Sequence, residues 1–216
     1  MSLENFEGDC FVAFIDISGF KNYMKENKAL DALDVFYNSG YDELQQSHEV
    51  CGIFVSDCGI LFTKGGEKKR QLENILTIIK NINNKMLDNN YMLTTSIAYG
   101  HFCYMNRLEC ANIQKNSLFG NAYLEAFLDN EKGKIKIYPG QCRIKKKYLE
   151  DITLNNMHYN DYLVSKDYYY YFYWNLNNPD DINSFENDYN DSYNRMYGGM
   201  KSALKKHRRN NSENNW

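Results

Sequence analysis

The sequence predicts an α+β domain built from an antiparallel-rich sheet with helices packed on one face. Three observations favour this class. Two apolar, β-rich runs each lead to an isolated aspartate, one long stretch has apolar residues at helical spacing, and strand-like and helix-like stretches alternate along 216 residues. A chain of this length suffices for one ordinary domain with a full core and is too short for two large ones.

The first half of the chain predicts the order β-α-β-β-α. An apolar strand over 11–17 precedes a helix over 29–46, and the run 52–62 predicts a hairpin with Asp57 at its tip. Gly65 and Gly66 end that hairpin. Six apolar residues at i, i+3, i+4 and i+7 spacing then predict a long helix: Leu72, Ile75, Leu76, Ile79, Ile82 and Met86.

The order continues with β-α-β. The sequence predicts a strand over 91–104 interrupted at Gly100, a helix over 116–130, and a short strand over 135–138 followed by a short helix over 145–151. This order is typical of the ferredoxin-like or palm arrangement, in which the first strand and the hairpin are neighbours.

The C-terminal quarter has a different character. Aromatic residues over 161–174 predict a further β-hairpin, the polar stretch 177–190 predicts a loop, and 192–206 predicts a final helix. We therefore expect three parts: a domain over 8–150, a C-terminal extension over 151–206 packed on that core, and a disordered basic tail over 207–216.

Composition excludes several classes. A net charge of −3 and a pI near 5.8 argue against a protein that binds nucleic acid non-specifically. The six cysteines form no CxxC pair, the N-terminus does not resemble a secretory signal, and no run approaches the ~18 apolar residues of a membrane span. We expect a soluble, cytoplasmic protein with free thiols that binds neither nucleic acid nor a membrane.

Asp16 and Asp57 are the strongest candidate site residues. Asp16 ends an apolar strand just before the small-residue turn 18–20, and Asp57 lies at the hairpin tip. If the two strands are neighbours, both carboxylates emerge at one end of the sheet, where two hard oxygen ligands can share divalent cations bound to phosphates. Either aspartate alone is commonly a plain turn residue. The pair predicts a metal site.

The residues around these aspartates resemble a known family. The segment Phe-Ile-Asp-Ile-Ser-Gly-Phe at 14–20 resembles the signature that opens the catalytic domain of class III nucleotide cyclases. Ser56-Asp57 resembles the hairpin that carries their second metal-binding aspartate, although the usual glycine before it is Ser56 here. Weaker similarity at 94–100 and 119–126 extends the resemblance over about residues 10–140.

This resemblance implies the class III cyclase fold and a homodimer with its active sites between protomers. It also implies two divalent ions, Mn²⁺ or Mg²⁺, and attack of a ribose 3′-oxygen on the α-phosphate with loss of pyrophosphate. The implied metal ligands are Asp16, the Ile17 carbonyl and Asp57. The implied nucleotide-binding and phosphate-binding residues are Phe14, Ser18, Gly19, Phe20 and Lys64, with Arg107 or Arg143 from a partner subunit.

The substrate base is indicated by departures from the family pattern. The positions at which adenylyl and guanylyl cyclases recognise a purine fall on Cys51 and Ser117, the base-pocket candidates. The positions of their transition-state asparagine and arginine fall on Leu124 and Leu128. Cys51 and Ser117 cannot recognise a purine edge in the usual way, so a purine substrate loses support, and the two leucines cannot stabilise the transition state as the family's residues do.

The chain is most similar to the pyrimidine cyclases of bacterial Pycsar anti-phage systems, whose helix reads like 120–127 here. This implies a uridylate cyclase, with CTP as the next substrate, producing a second messenger for a separate effector. The alternative is a non-catalytic nucleotide-binding module on the same fold. A diguanylate-type palm enzyme is less favoured, because its Gly-Gly-Asp/Glu-Glu-Phe turn is replaced by Ser-Asp-Cys-Gly at 56–59.

Overall fold

A computed structural model describes residues 3–110, 113–191 and 196–209. The strands are β1 (Phe6–Ile17), β2 (Val50–Val55), β3 (Cys58–Thr63), β4 (Leu93–Cys110), β5 (Ile113–Phe119), β6 (Cys142–Lys145), β7 (Leu163–Lys166) and β8 (Tyr169–Phe172). The helices are α1 (Phe20–Lys25), α2 (Ala29–Leu44), α3 (Lys68–Asp88), α4 (Asn121–Lys132), α5 (Ile182–Asn190) and α6 (Tyr197–Arg209). The predicted α+β class is confirmed.

All eight strands form one sheet in the order β2-β3-β1-β4-β6-β8-β7, with β5 paired to β4. The central strand β1 runs antiparallel to both β3 and β4, whereas β6 runs parallel to β4. The first strand and the hairpin are therefore adjacent, as predicted. In their register Asp16 lies opposite Cys58, so the end of β1 meets the β2–β3 turn.

Helices cover both faces of the sheet, so the expectation that they pack on one face was wrong for α4. The side chains of Phe11, Ala13 and Ile15 pack in the cluster that contains α2 and α3. The alternate side chains on β1 pack in a second cluster with Ala122 and Ala126 of α4. The reason is that residues 10–15 of β1 are all buried apolar residues, and a strand that is apolar on both faces needs cover on both.

The predicted long helix is confirmed as α3, and its six apolar residues are buried. The segment after it differs from the prediction. Strand β4 continues through Gly100, and residues 113–119 form β5, so α4 begins at Asn121 and not at 116. The backbone of 113–119 pairs antiparallel with the outer half of β4 as the second arm of a hairpin, so residues 116–119 belong to a strand and not to the predicted helix.

The strand predicted at 135–138 is also wrong, because β6 begins at Cys142, beyond the turn at Pro139-Gly140. Ile137 is buried between the exposed residues Lys136 and Tyr138. This gives the sequence the alternation of apolar and polar residues that is typical of a strand. The predicted short helix at 145–151 is a single 3₁₀ turn at Lys146–Tyr148.

The C-terminal hairpin is confirmed as β7 and β8, which extend the sheet beyond β6. The loop predicted over 177–190 is instead a 3₁₀ turn followed by α5, whose Phe185 and Tyr189 are buried. Helix α6 includes residues 207–209 of the predicted disordered tail. His207 is buried and its ring nitrogen lies 2.6 Å from Asp188. Residues 192–195 and 210–216 lie outside the described ranges, and the domain boundary at 150 stays a prediction.

None of the helices within the described part of the chain combines the length and the apolar character that a membrane span requires.

Candidate functional site

The fold brings Asp16 and Asp57 together at one end of the sheet. Asp16 ends β1 opposite Cys58, and the Ile17 N–H donates to the Asp57 carbonyl at 2.9 Å. This hydrogen bond fixes the end of β1 to the β2–β3 turn. A carboxylate oxygen from each aspartate and the Cys58 sulfur all lie within 4.8 Å of one another. The predicted convergence of the two carboxylates is therefore present in the fold.

The β2–β3 turn contains only Ser56 and Asp57, and its backbone is constrained. Ser56 has a φ of +54°, in the left-handed region that favours glycine. The Tyr37 hydroxyl of α2 donates to the Ser56 carbonyl at 3.0 Å and supports the turn from outside. This φ explains why the resembling family usually has glycine at this position.

The electrostatics of the pair favour a bound cation. Burial, together with the nearby charges of Asp57 and Glu131, raises the pKa of Asp16 from 3.8 to about 7. Ionising a buried carboxyl group beside other carboxylates costs free energy. A bound divalent ion offsets that cost, because its positive charge stabilises the carboxylate form. Without such an ion, Asp16 is half-protonated near neutral pH.

The donor atoms fit Mg²⁺ or Mn²⁺. Both ions prefer carboxylate oxygens, which Asp16 and Asp57 supply. Cys58 is a poorer ligand because burial raises its pKa to about 11, so the thiol stays neutral and donates to the Val55 carbonyl at 3.3 Å. A ligand role for the Ile17 carbonyl stays a prediction.

The small-residue turn after β1 differs in part from the expectation. The Ser18 N–H donates to the Met92 carbonyl at 2.9 Å, so it is not free to receive a phosphate. Gly19 has a φ of +79°, and Phe20 is buried in the core. The N–H groups of Gly19 and Phe20 lie at the start of α1, where a helix offers them no carbonyl partner. A methyl group at Gly19 would lie 3.6 Å from the Tyr197 ring, so α6 flanks this turn.

The Phe14 side chain faces α4. It is buried and lies edge-on to Phe127 of α4, with ring centroids 5.3 Å apart. The Phe14 carbonyl accepts from the Asn130 amide at 3.4 Å. Phe14 therefore attaches α4 to β1, and its contact with a nucleotide stays a prediction.

The expected basic residues are also placed differently. Lys64 follows β3 at the end remote from Asp57, about 24 Å away along the strand at ~3.4 Å per residue. Arg143 is completely buried, donates to Asp129 and to the Ile135 carbonyl, and cannot reach a ligand across an interface. The side chain of Arg107 lies outside the described part of the structure.

The two base-pocket candidates lie away from the carboxylates of their own chain. Cys51 is buried in the apolar cluster beneath α4, and burial raises its thiol pKa. Ser117 is on β5 opposite Met105, near the other end of β4 from the residue that pairs with Asp16. A role for either residue in base recognition stays a prediction.

Leu124 and Leu128 lie on the outer side of α4, with 53% and 41% of each residue exposed. The structure thus places apolar side chains on the surface at both positions where the family has transition-state groups.

Two residues near the carboxylates were not predicted from the sequence. Asn130 bonds both the Phe14 carbonyl and the Thr94 hydroxyl, and Glu131 is close enough to raise the Asp16 pKa. The run Asp-Asn-Glu at 129–131 was the available signal. It was missed because the predicted helix ended at 130.

Solved structures of nucleotide cyclase domains have a fold similar to that of this chain. The chain is similar to a dimeric guanylyl cyclase domain of the RhoGC fusion protein from the aquatic fungus Blastocladiella emersonii, with 14% identity over 79% of this chain and 97% of that one and a TM-score of 0.59. The guanylyl cyclase Cya2 shows 13% identity, 79% and 93% coverage and a TM-score of 0.56. The adenylyl cyclase CyaB from P. aeruginosa shows 16% identity, 69% and 84% coverage and a TM-score of 0.53.

No protein-family profile matches the chain, and no curated protein sequence is significantly similar to it. At these identities the structural similarity shows the fold, which is that of the class III cyclase catalytic domains.

Proposed function

We propose that this protein is a metal-dependent nucleotide cyclase that converts a pyrimidine nucleoside triphosphate to its 3′,5′-cyclic monophosphate and pyrophosphate. UTP is the favoured substrate and CTP the next. The observation that carries the proposal is the convergence of the Asp16 and Asp57 carboxylates on a cyclase fold. The raised pKa of Asp16 supports a cation at this position.

The chain's own residues have distinct tasks in this reaction. Asp16 and Asp57 hold two divalent ions, Mn²⁺ or Mg²⁺. When bound, these ions lower the pKa of the ribose 3′-hydroxyl and neutralise charge on the leaving pyrophosphate. The N–H groups of Gly19 and Phe20, in the turn that precedes α1, are assigned to a phosphate oxygen, as the resemblance implies. The hydrogen bond from the Ile17 N–H to the Asp57 carbonyl keeps the two carboxylates close to each other.

The choice of a pyrimidine is supported by Cys51 and Ser117, which lack the charged or acidic groups of purine readers. A homodimer is supported by the exposed Leu124 and Leu128 on α4, because exposed apolar side chains favour burial against a second copy. One structurally similar domain is described as dimeric. An anti-phage role, with the product acting on a separate effector, rests on the resemblance of 120–127 to the pyrimidine cyclases.

The proposal is tested with purified protein, Mn²⁺ and each of the four nucleoside triphosphates separately. Mass spectrometry should detect cyclic UMP or cyclic CMP, and Asp16→Asn and Asp57→Asn should each remove the product. Asp9→Asn, an exposed aspartate near the other end of β1, is the matched control and should keep activity. Full activity in the two site variants would reject the proposal.

Binding of Mn²⁺ gives a readout that does not depend on turnover. Electron paramagnetic resonance should show bound Mn²⁺ for the wild type and for Asp9→Asn, and a large loss of bound ion for Asp16→Asn and Asp57→Asn. Equal binding by all four proteins would contradict the assigned metal site.

A second candidate function is a non-catalytic module that binds nucleotide and metal. The exposed Leu124 and Leu128 favour it, since neither can stabilise charge in a transition state. This candidate predicts metal-dependent nucleotide binding without pyrophosphate release. Release of pyrophosphate by the wild type, absent in Asp57→Asn, would exclude it.

A further inference from the structure

A cavity of about 550 Å³ lies on the side of α4 that faces β6 and the β7–β8 turn. Within one chain it is separate from the metal site, because Asn130 and Glu131 lie toward β1 while Leu128, Asp129 and Lys132 line the cavity. We refer to it as the lysine cavity, after the five lysines that line it: Lys132, Lys134, Lys145, Lys146 and Lys147.

The lysines form a local surplus of positive charge on an acidic protein. Lys145 and Lys147 share one carboxylate, Glu125, at 2.8 and 3.5 Å. Lys132, Lys134 and Lys146 have no ion-pair partner among the described residues. Clustered like charges repel one another, and an anionic ligand relieves that repulsion.

The acidic side chains of the cavity only partly offset these lysines. Asp129 is paired with Arg143, whose Nε donates to it at 2.9 Å, and it also accepts a hydrogen bond from the Tyr169 hydroxyl at 2.7 Å. Glu125 is bound by two lysines and by the Tyr148 hydroxyl. Glu150 and Asp167, both exposed, are the other acids that line the cavity.

Arg143, which does not itself line the cavity, holds three residues that do: Asp129, Gly133 and Tyr169. Arg143 is fully buried, its guanidinium lies 4.3 Å from the Tyr169 ring centre, and it also donates to two backbone carbonyls. Gly133 packs directly on this guanidinium, since a Cβ there would lie 2.6 Å from its Nη2. The chain between Lys132 and Lys134 is therefore held close to Arg143, which fixes the backbone of both lysines.

One wall of the cavity is apolar. The Tyr168 residue is 72% exposed at the β7–β8 turn, and Leu128 is 41% exposed on α4. An exposed aromatic ring beside a cluster of cations matches a ligand that has a planar ring and phosphates. The volume falls within the usual range for small-ligand sites, about 300–1,000 Å³.

We propose that the lysine cavity is a second nucleotide-binding site, in which Lys132, Lys134 and Lys146 contact the phosphates and Tyr168 stacks on the base. This site needs no divalent ion and does not use Asp16 or Asp57. It therefore stands whether or not the protein proves to be a cyclase.

The test uses isothermal titration calorimetry in EDTA on the Asp16→Asn/Asp57→Asn double variant, which removes the metal site. The probes are UMP, CMP, AMP and inorganic pyrophosphate. At least one nucleotide should bind, and more tightly than pyrophosphate. Adding Lys132→Gln, Lys134→Gln and Lys146→Gln together should weaken binding at least tenfold.

Two further variants locate the site. Lys136→Gln is the matched control for charge, because Lys136 lies close in sequence but packs over Tyr138 and does not line the cavity. It should change affinity by less than twofold. Tyr168→Ala should weaken nucleotide binding about fivefold or more and leave pyrophosphate binding unchanged.

The replaced lysines and Tyr168 lie at the surface, and circular dichroism verifies that each variant is folded. Four outcomes overturn the proposal: no nucleotide binds, pyrophosphate binds as tightly as every nucleotide, the triple lysine variant binds normally, or Lys136→Gln weakens binding as much as the triple variant does.

Discussion

Removing the charge of Asp16 should stabilise the metal-free protein at neutral and alkaline pH. Burial, with the charges of Asp57 and Glu131, raises the pKa of Asp16 from 3.8 to about 7. The folded protein thus keeps a proton on Asp16 that the unfolded chain has already released above pH 3.8. Stability must therefore fall as pH rises from 3.8 to about 7, and then stay level with respect to this group.

The size of this effect follows from the displacement of the pKa. At ~1.36 kcal/mol per unit of pKa, the rise from 3.8 to about 7 corresponds to a loss of folding stability of at most about 4 kcal/mol. Solvent reaches part of the Asp16 side chain and screens its charge, so we expect about 1–2 kcal/mol. Asp16→Asn has no charge to bury. It should be more stable than the wild type by this amount at pH 8, and the advantage should shrink as the pH falls to 5.

The assay is urea unfolding in EDTA at pH 5, 6, 7 and 8, followed by the fluorescence of the buried Trp174. Asp9→Asn, which removes an exposed carboxylate from the same strand, should follow the wild type. Adding Mn²⁺ at pH 8 should stabilise the wild type and leave Asp16→Asn unchanged. The reasoning is refuted if Asp16→Asn is less stable than the wild type at pH 8, or if its advantage is the same at pH 5.

Three other substitutions test separate parts of the structure. Ser56→Gly should raise the free energy of unfolding by about 1 kcal/mol in urea titrations, because glycine adopts the positive φ without strain; no gain would contradict the turn geometry. Arg143→Met should lower the free energy of unfolding by about 3–5 kcal/mol in the same titrations, because it leaves Asp129 buried without its cation. A decrease below about 1 kcal/mol would show that the network is not buried as described. Leu124→Glu with Leu128→Glu should shift sedimentation toward the monomer, and an unchanged dimer would place the interface elsewhere.

The sequence predicted best the parts of the fold that depend on strong local patterns. The apolar spacing from Leu72 to Met86 was sufficient for α3, and the apolar run of β1 was sufficient for the central strand. The approach of Asp16 to Asp57 was predictable because the neighbouring positions of their two strands follow from the order of elements.

The errors arose where non-local contacts decide the structure. Residues 177–190 were predicted as a loop, but α5 is helical because Phe185 and Tyr189 pack against other parts of the fold. The buried position of Arg143 could not be predicted either, because it depends on Asp129 lying on a helix that covers the second face of the sheet.

The central claim is that the carboxylate pair supports cyclisation of a pyrimidine nucleotide. The most direct measurement is mass spectrometry of the products formed from an equimolar mixture of ATP, GTP, CTP and UTP with Mn²⁺, for the wild type and for Asp57→Asn. We predict a cyclic pyrimidine nucleotide as the main product, with cyclic UMP in excess, and none from the variant. A cyclic purine as the main product would contradict the base assignment, and no cyclic product at all would contradict the enzymatic function.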